Sequence, residues 1–112
     1  MRDDSARLSD ILEAIEAIQR KTVVDKETFK HDEMIQVWVV HHIQIIGEAA
    51  AALSKEFRER HTDIPWTDTI SMRNVLVHHY FGIDYEQIWD TAMIDIPILK
   101  EKILKIMEQS KK

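Results

Sequence analysis

An all-α chain, folded as a single antiparallel bundle of four to five helices, is what this sequence implies, and three features imply it. Only two glycines and two prolines punctuate its 112 residues. Strand-like alternation is absent, and apolar residues recur at helical spacing along the whole chain. The connections between the periodic segments are short, which favours antiparallel neighbours. One domain spanning residues 1–112 is expected from a chain of this length.

The first helix is expected from about Ser5 to Arg20, with Leu8, Ile11, Leu12, Ile15 and Ile18 on one face. Thr22 to Asp25 reads as a connector, where Asp25 and Thr28 offer capping groups for a short turn. A long second helix is expected from about Asp32 to Glu59, its apolar stripe being Ile35, Trp38, Val39, Ile46, Ala49, Leu53 and Phe57. Gly47 inside it is a local anomaly that costs roughly 1 kcal/mol relative to Ala, so it implies close helix approach or a bend. Together with Ala49 to Ala52 it makes a band of small residues suited to an internal or an inter-subunit contact. Pro65 restricts Ile64 to extended geometry and breaks the chain. Thr67 or Asp68 then caps a third helix that stops near Gly82, a natural C-terminal residue. Asp84 with Gln87 forms a capping box for the last helix, expected to run to about Gln109 with a kink or interruption at Pro97. Lys100, Lys102, Lys105, Lys111 and Lys112 suit the negative end of that helix.

Composition narrows the function. With 45% hydrophobic and 31% charged residues the chain is neither disordered nor membrane-embedded, and an apolar stretch such as Val37 to Val40 is far too short to cross a bilayer. Met1 to Asp4 lead straight into a helical pattern, so no signal peptide is expected. The absence of cysteine removes disulfides, thiolate metal sites and a Cys nucleophile, and it fits a cytoplasmic location. A net charge of −5 argues against a dedicated nucleic-acid binder. Lys55, Arg58, Arg60 and Arg73 are matched in number by Glu56, Glu59, Asp63 and Asp68, so no basic patch forms locally. Any RNA contact must come from a few placed side chains, which a partner subunit would duplicate.

The candidate chemistry is concentrated in Arg73-Asn74-Val75-Leu76-Val77-His78-His79-Tyr80. Arg73, Leu76, Val77 and Tyr80 share the spacing of one helix face. His78 lies five residues after Arg73, about 140° round an ideal helix and about 7.5 Å along it. The two therefore meet at a common atom only if the helix loosens as it ends or if a second copy faces the first, and the latter favours a symmetric dimer with the motif at its interface. An Arg and a His suffice for metal-free RNA cleavage. The imidazole moves a proton to or from a ribose or leaving oxygen, and the guanidinium meets the phosphate as its charge grows. Asn74 is a supporting candidate, and Tyr80 offers a hydroxyl to the same phosphate or to a modifying group. Taken alone, an Arg and a His on a helix surface are more often solvated or salt-bridged than catalytic.

Neither His41-His42 nor His78-His79 makes a metal site, because adjacent helical residues point about 100° apart and no carboxylate lies at ligand spacing. No metal and no cofactor is expected. His42 reads as a hydrogen-bonded core histidine, while His31, His41, His61 and His79 carry no assigned role. Trp38, Trp66 and Trp89 read as core anchors, with Trp66 pinning the start of the motif helix.

The sequence resembles the HepT-like toxins, a branch of the HEPN superfamily. The resemblance rests on Ile45-Ile46-Gly47-Glu48-Ala49-Ala50, Leu53-Ser54, Ile64-Pro65-Trp66, Met72-Arg73-Asn74 with Leu76 and His78, Tyr80-Phe81, Asp84, Trp89 and Pro97, in order across nearly the whole chain. It implies a HEPN-like dimeric bundle whose Arg73 and His78 line a cleft between protomers and act as a metal-independent endoribonuclease toxin. It further implies a partner antitoxin, a minimal nucleotidyltransferase, that neutralises the toxin by AMPylation of Tyr80. Added adenylate would place bulk and negative charge where the RNA phosphate must bind. Two other readings stand beside this one: a non-catalytic subunit that binds nucleotide or the nucleotidyltransferase, and a purely structural dimerising bundle.

Overall fold

The computed structural model describes residues 3–78 and 84–110, with the side chains of residues 74–78 and 110 excepted. The described residues form seven α-helical segments and one π-helical turn, without strands. They are α1 (Asp4–Lys21), α2 (Lys26–His31), α3 (Glu33–Ala51), α4 (Lys55–Arg60), α5 (Trp66–His78), α6 (Tyr85–Asp90), the π turn Thr91–Asp95, and α7 (Ile96–Ser110). Since α6, the π turn and α7 form one continuous rod, the architecture is four long rods with α2 and α4 as single-turn joints. The all-α bundle expected from the periodicity is what forms.

α3 is the central member, packed along α1 on one side and α5 on the other. It runs antiparallel to α1. The Trp38 indole N–H near its start donates to the Ala17 carbonyl near the end of α1 (2.8 Å), while Ser54 just beyond its end meets Asp4 at the beginning of α1. The core is built from the predicted stripes. Ile11, Ile15 and Ile18 of α1 and Val39, Ile43 and Ile46 of α3 are almost wholly buried, together with Phe29, Ile64, Ile96 and Ile103. Leu12, placed on the same α1 stripe by sequence, is only half-buried, and Ala14 and Ala17 are buried instead. Trp66 is buried, whereas Trp38 and Trp89 pack on the core from its edge.

Three expectations need correction. The predicted second helix does not continue to Glu59: it ends at Ala51, and Ser54 starts α4 as its N-cap, accepting the Phe57 N–H (3.1 Å). The break has a long-range cause, because the Asp4 carboxylate accepts both the backbone N–H (2.8 Å) and the hydroxyl (2.7 Å) of Ser54. An N–H bonded to a distant carboxylate is lost to the helix ladder. Next, α5 begins at Trp66 and not after Thr67 or Asp68, since the Thr69 N–H already bonds the Pro65 carbonyl (3.0 Å). Proline, lacking a donor, is well suited to this entry. Finally, Lys100 and Lys102 do not only face the helix end: Lys100 Nζ donates to Gln19 Oε1 of α1 (2.8 Å), and Lys102 Nζ donates to the Asp63 carbonyl ahead of α5.

Other local signals appear as read. Asp25 caps α2 through the Thr28 N–H (2.7 Å), and Asp84 caps α6 through the Gln87 N–H (3.2 Å). Pro97 interrupts the last rod through a π turn in the residues before it, where the Ile96 N–H reaches back five residues to the Thr91 carbonyl. Such a turn absorbs the donor and the space that proline removes. The expected stop near Gly82 lies outside the described residues. No described helix is long and apolar enough to cross a membrane.

Candidate active site

α5 carries the motif, and two contacts set its position. At its start the Trp66 indole N–H donates to the His61 carbonyl (2.9 Å), while the ring meets Phe57 of α4 edge-on at 6.1 Å. This is the pinning role expected of Trp66. Further along, Gly47 lets α5 settle directly onto α3. A Cβ at position 47 would stand 2.7 Å from the Arg73 backbone nitrogen, 2.9 Å from the Arg73 Cβ and 3.1 Å from the Ile70 carbonyl oxygen. Of the two explanations open for this glycine, a bend or a close approach, the contact at Arg73 supports the close approach.

Arg73 is thus located by backbone packing before its side chain makes any contact. Its side chain is 37% exposed, and Nη1 lies 3.9 Å from Glu48 Oε2, the carboxylate of the residue that follows Gly47. Sequence reading gave Glu48 no role. The available signal was an acidic residue directly after a helical glycine, in the segment that carries the family resemblance.

The backbone of α5 remains α-helical through Asn74 and on to His78. Positions 73 and 78 are therefore separated by about 140° around one axis, as the ideal geometry requires. The side chain of His78 lies outside the described residues, so only its backbone position on α5 is given. Tyr80 lies outside the described residues, as does His79.

Beside Glu48, the outer faces of α1 and α3 form an open groove of about 870 Å³, with Ala14, Ala17, Ala49 and Ala52 among its lining and Arg7, Arg20 and Asp10 along the α1 side. His42 belongs to this groove and not to the core, which corrects its expected placement. It is half-buried, its Nδ1–H donates to the Trp38 carbonyl (2.7 Å), and its ring packs against that of Trp38 at 4.4 Å, tilted by 41°. The helical wheel puts it one position beyond the fully buried stripe, on the α1 side. Among the remaining histidines, His31 pairs with Glu27 (3.1 Å) and His61 packs on Phe57 at 4.4 Å. Among the described residues, no three His, Asp or Glu side chains are grouped to hold a metal ion.

With this geometry in place, comparison with known proteins identifies the lineage. The profile of the HepT-like ribonuclease family matches residues 11–106, a span that contains Gly47, Arg73, His78 and Tyr80. The chain belongs to the HepT-like ribonuclease family. It is similar over 109 residues, at 43% identity, to a Methanocaldococcus jannaschii protein described as a gamma-glutamylcyclotransferase and inferred RNase, covering 96% of this chain and 49% of that protein. The chain thus spans about half the length of that relative. An inferred RNase of Caldanaerobacter subterraneus subsp. tengcongensis is 37% identical over 112 residues, covering 99% of this chain and 100% of that one. A probable ribonuclease HepT of Thermococcus cleftensis is 41% identical over 100 residues, covering 88% and 91%. No solved structure gives a significant match.

Proposed function

We propose that this HepT-like chain is the metal-independent endoribonuclease toxin of a toxin–antitoxin pair, with Arg73 and His78 as its catalytic residues. The observation that carries this reading is the placement of Arg73. α5 is pinned by Trp66 and set against α3 at Gly47, so the partly exposed Arg73 side chain projects from a closely packed stretch of backbone. A donor fork that is already oriented stabilises charge building on a phosphate without reorganisation during the reaction. His78 takes the proton from the ribose 2′-hydroxyl, whose oxygen then bonds to phosphorus as the bond to the 5′ oxygen breaks. A proton returned to that leaving oxygen completes a cyclic phosphate end and a 5′-hydroxyl end. Asn74, beside Arg73 on α5, supports substrate or imidazole orientation.

The site is completed in a homodimer. A helical backbone from Arg73 to His78 supports this, since the two positions diverge on one chain while a symmetric partner supplies the missing group. Tyr80 is the AMPylation target of a partner nucleotidyltransferase antitoxin in the cytoplasm, where added negative charge would repel the RNA phosphate. Purified protein is expected to cut RNA in the presence of EDTA, and Arg73→Ala or His78→Ala to abolish cleavage while leaving the helical circular dichroism intact. Undiminished cleavage by both variants refutes the assignment. The net charge of −5 favours one second reading, a non-catalytic subunit that binds nucleotide or the nucleotidyltransferase. Adenylate binding without RNA cleavage supports that alternative.

A further inference from the structure

We propose that Glu48 is a positioning residue for Arg73, and that the Gly47-Glu48 pair on α3 is the device that presents the Arg73 guanidinium to an RNA phosphate. The proposal rests on Arg73 being the phosphate-binding arginine. Gly47 fixes the height of Arg73: its missing Cβ allows the Arg73 backbone nitrogen and Cβ to approach nearer than any side chain at 47 would permit. Glu48, the next residue, then lies where its carboxylate faces the guanidinium, with Oε2 3.9 Å from Nη1. That is ion-pair distance but longer than a hydrogen bond, so the carboxylate biases the direction of the guanidinium while leaving its N–H donors available to a phosphate.

The same carboxylate also repels the incoming phosphate, which gives the role a kinetic signature. Glu48 is 70% exposed, so replacing it disturbs no packing. Without it, Arg73 samples more directions and the transition state loses oriented charge, while the ground state loses a repulsion. Glu48→Gln is therefore expected to lower kcat about two- to fivefold, the range of an exposed ion pair, with KM unchanged or lower. A residue that acted only through stability would leave both constants unmoved per folded molecule.

The test is cleavage of a single-stranded RNA by wild type and Glu48→Gln, alongside NMR relaxation of the Arg73 Nε–H group in both RNA-free proteins. Increased Arg73 Nε–H mobility together with the fall in kcat supports the proposal. Unchanged mobility, or a kcat that stays level or rises, overturns it. A wild type that cuts no RNA refutes the ribonuclease reading instead, and the relaxation comparison then decides alone whether Glu48 holds Arg73.

Discussion

Asp4 shows how one side chain can determine the path of a distant segment. Its carboxyl is held below its usual value of 3.8, first by the backbone N–H of Ser54, then by the Ser54 hydroxyl, with Arg60 adding a favourable charge. The sign of the linkage follows. A carboxyl with a lowered folded-state pKa stabilises the fold above its unfolded value and loses that contribution as pH falls through the folded one. The stability difference between wild type and Asp4→Asn, from urea unfolding, should be constant near about pH 7 and shrink as pH drops below about 3.8. A difference that grows in acid contradicts this. Asp4 and Ser54 stand fifty positions apart in sequence, so no local pattern could have joined them. Arg73 was legible for the opposite reason: its spacing from His78 and its Met72-Arg73-Asn74 setting are written in consecutive residues.

Gly47 governs how α3 and α5 fit together, and replacing it sets two effects against each other. Ala in place of Gly in a helix interior gains about 1 kcal/mol of propensity. Against this, a Cβ at 47 meets the backbone nitrogen and Cβ of Arg73, neither of which can rotate away. Forcing atoms into such a contact costs about 1–3 kcal/mol. Overpacking should win: Gly47→Ala is expected to be destabilised in urea unfolding and to cut RNA more slowly per folded molecule, because α5 must back away from α3. Gain of stability with full activity would show that the two helices can separate freely. The anomaly itself was visible in the sequence. That its contact is Arg73 was not, because helical periodicity places a residue on a face without naming what crosses it.

Divergence of positions 73 and 78 on one helical backbone makes a prediction about assembly. If each active centre takes Arg73 from one protomer and His78 from the other, a heterodimer of Arg73→Ala and His78→Ala chains contains one intact centre and one that lacks both groups. Co-expression of the two inactive variants should then restore about a quarter of wild-type cleavage, since half of randomly paired C2 dimers are mixed and each has one of two centres working. No recovery, with sedimentation confirming mixed dimers, excludes a centre that draws its arginine and histidine from different chains.

Helical periodicity, the caps at Asp25 and Asp84, the interruption at Pro97 and the place of Arg73 on a helix were all readable from the chain, because each depends on residues within a turn or two of one another. The split between α3 and α4, the half-buried setting of His42 and the meeting of Glu48 with Arg73 depended on which helices lie side by side. Those contacts join residues far apart in sequence: a carboxylate from α1 captures Ser54, and a glycine on α3 lets the arginine of α5 come close. Local preference writes the elements, but packing chooses between alternatives that are locally near in energy.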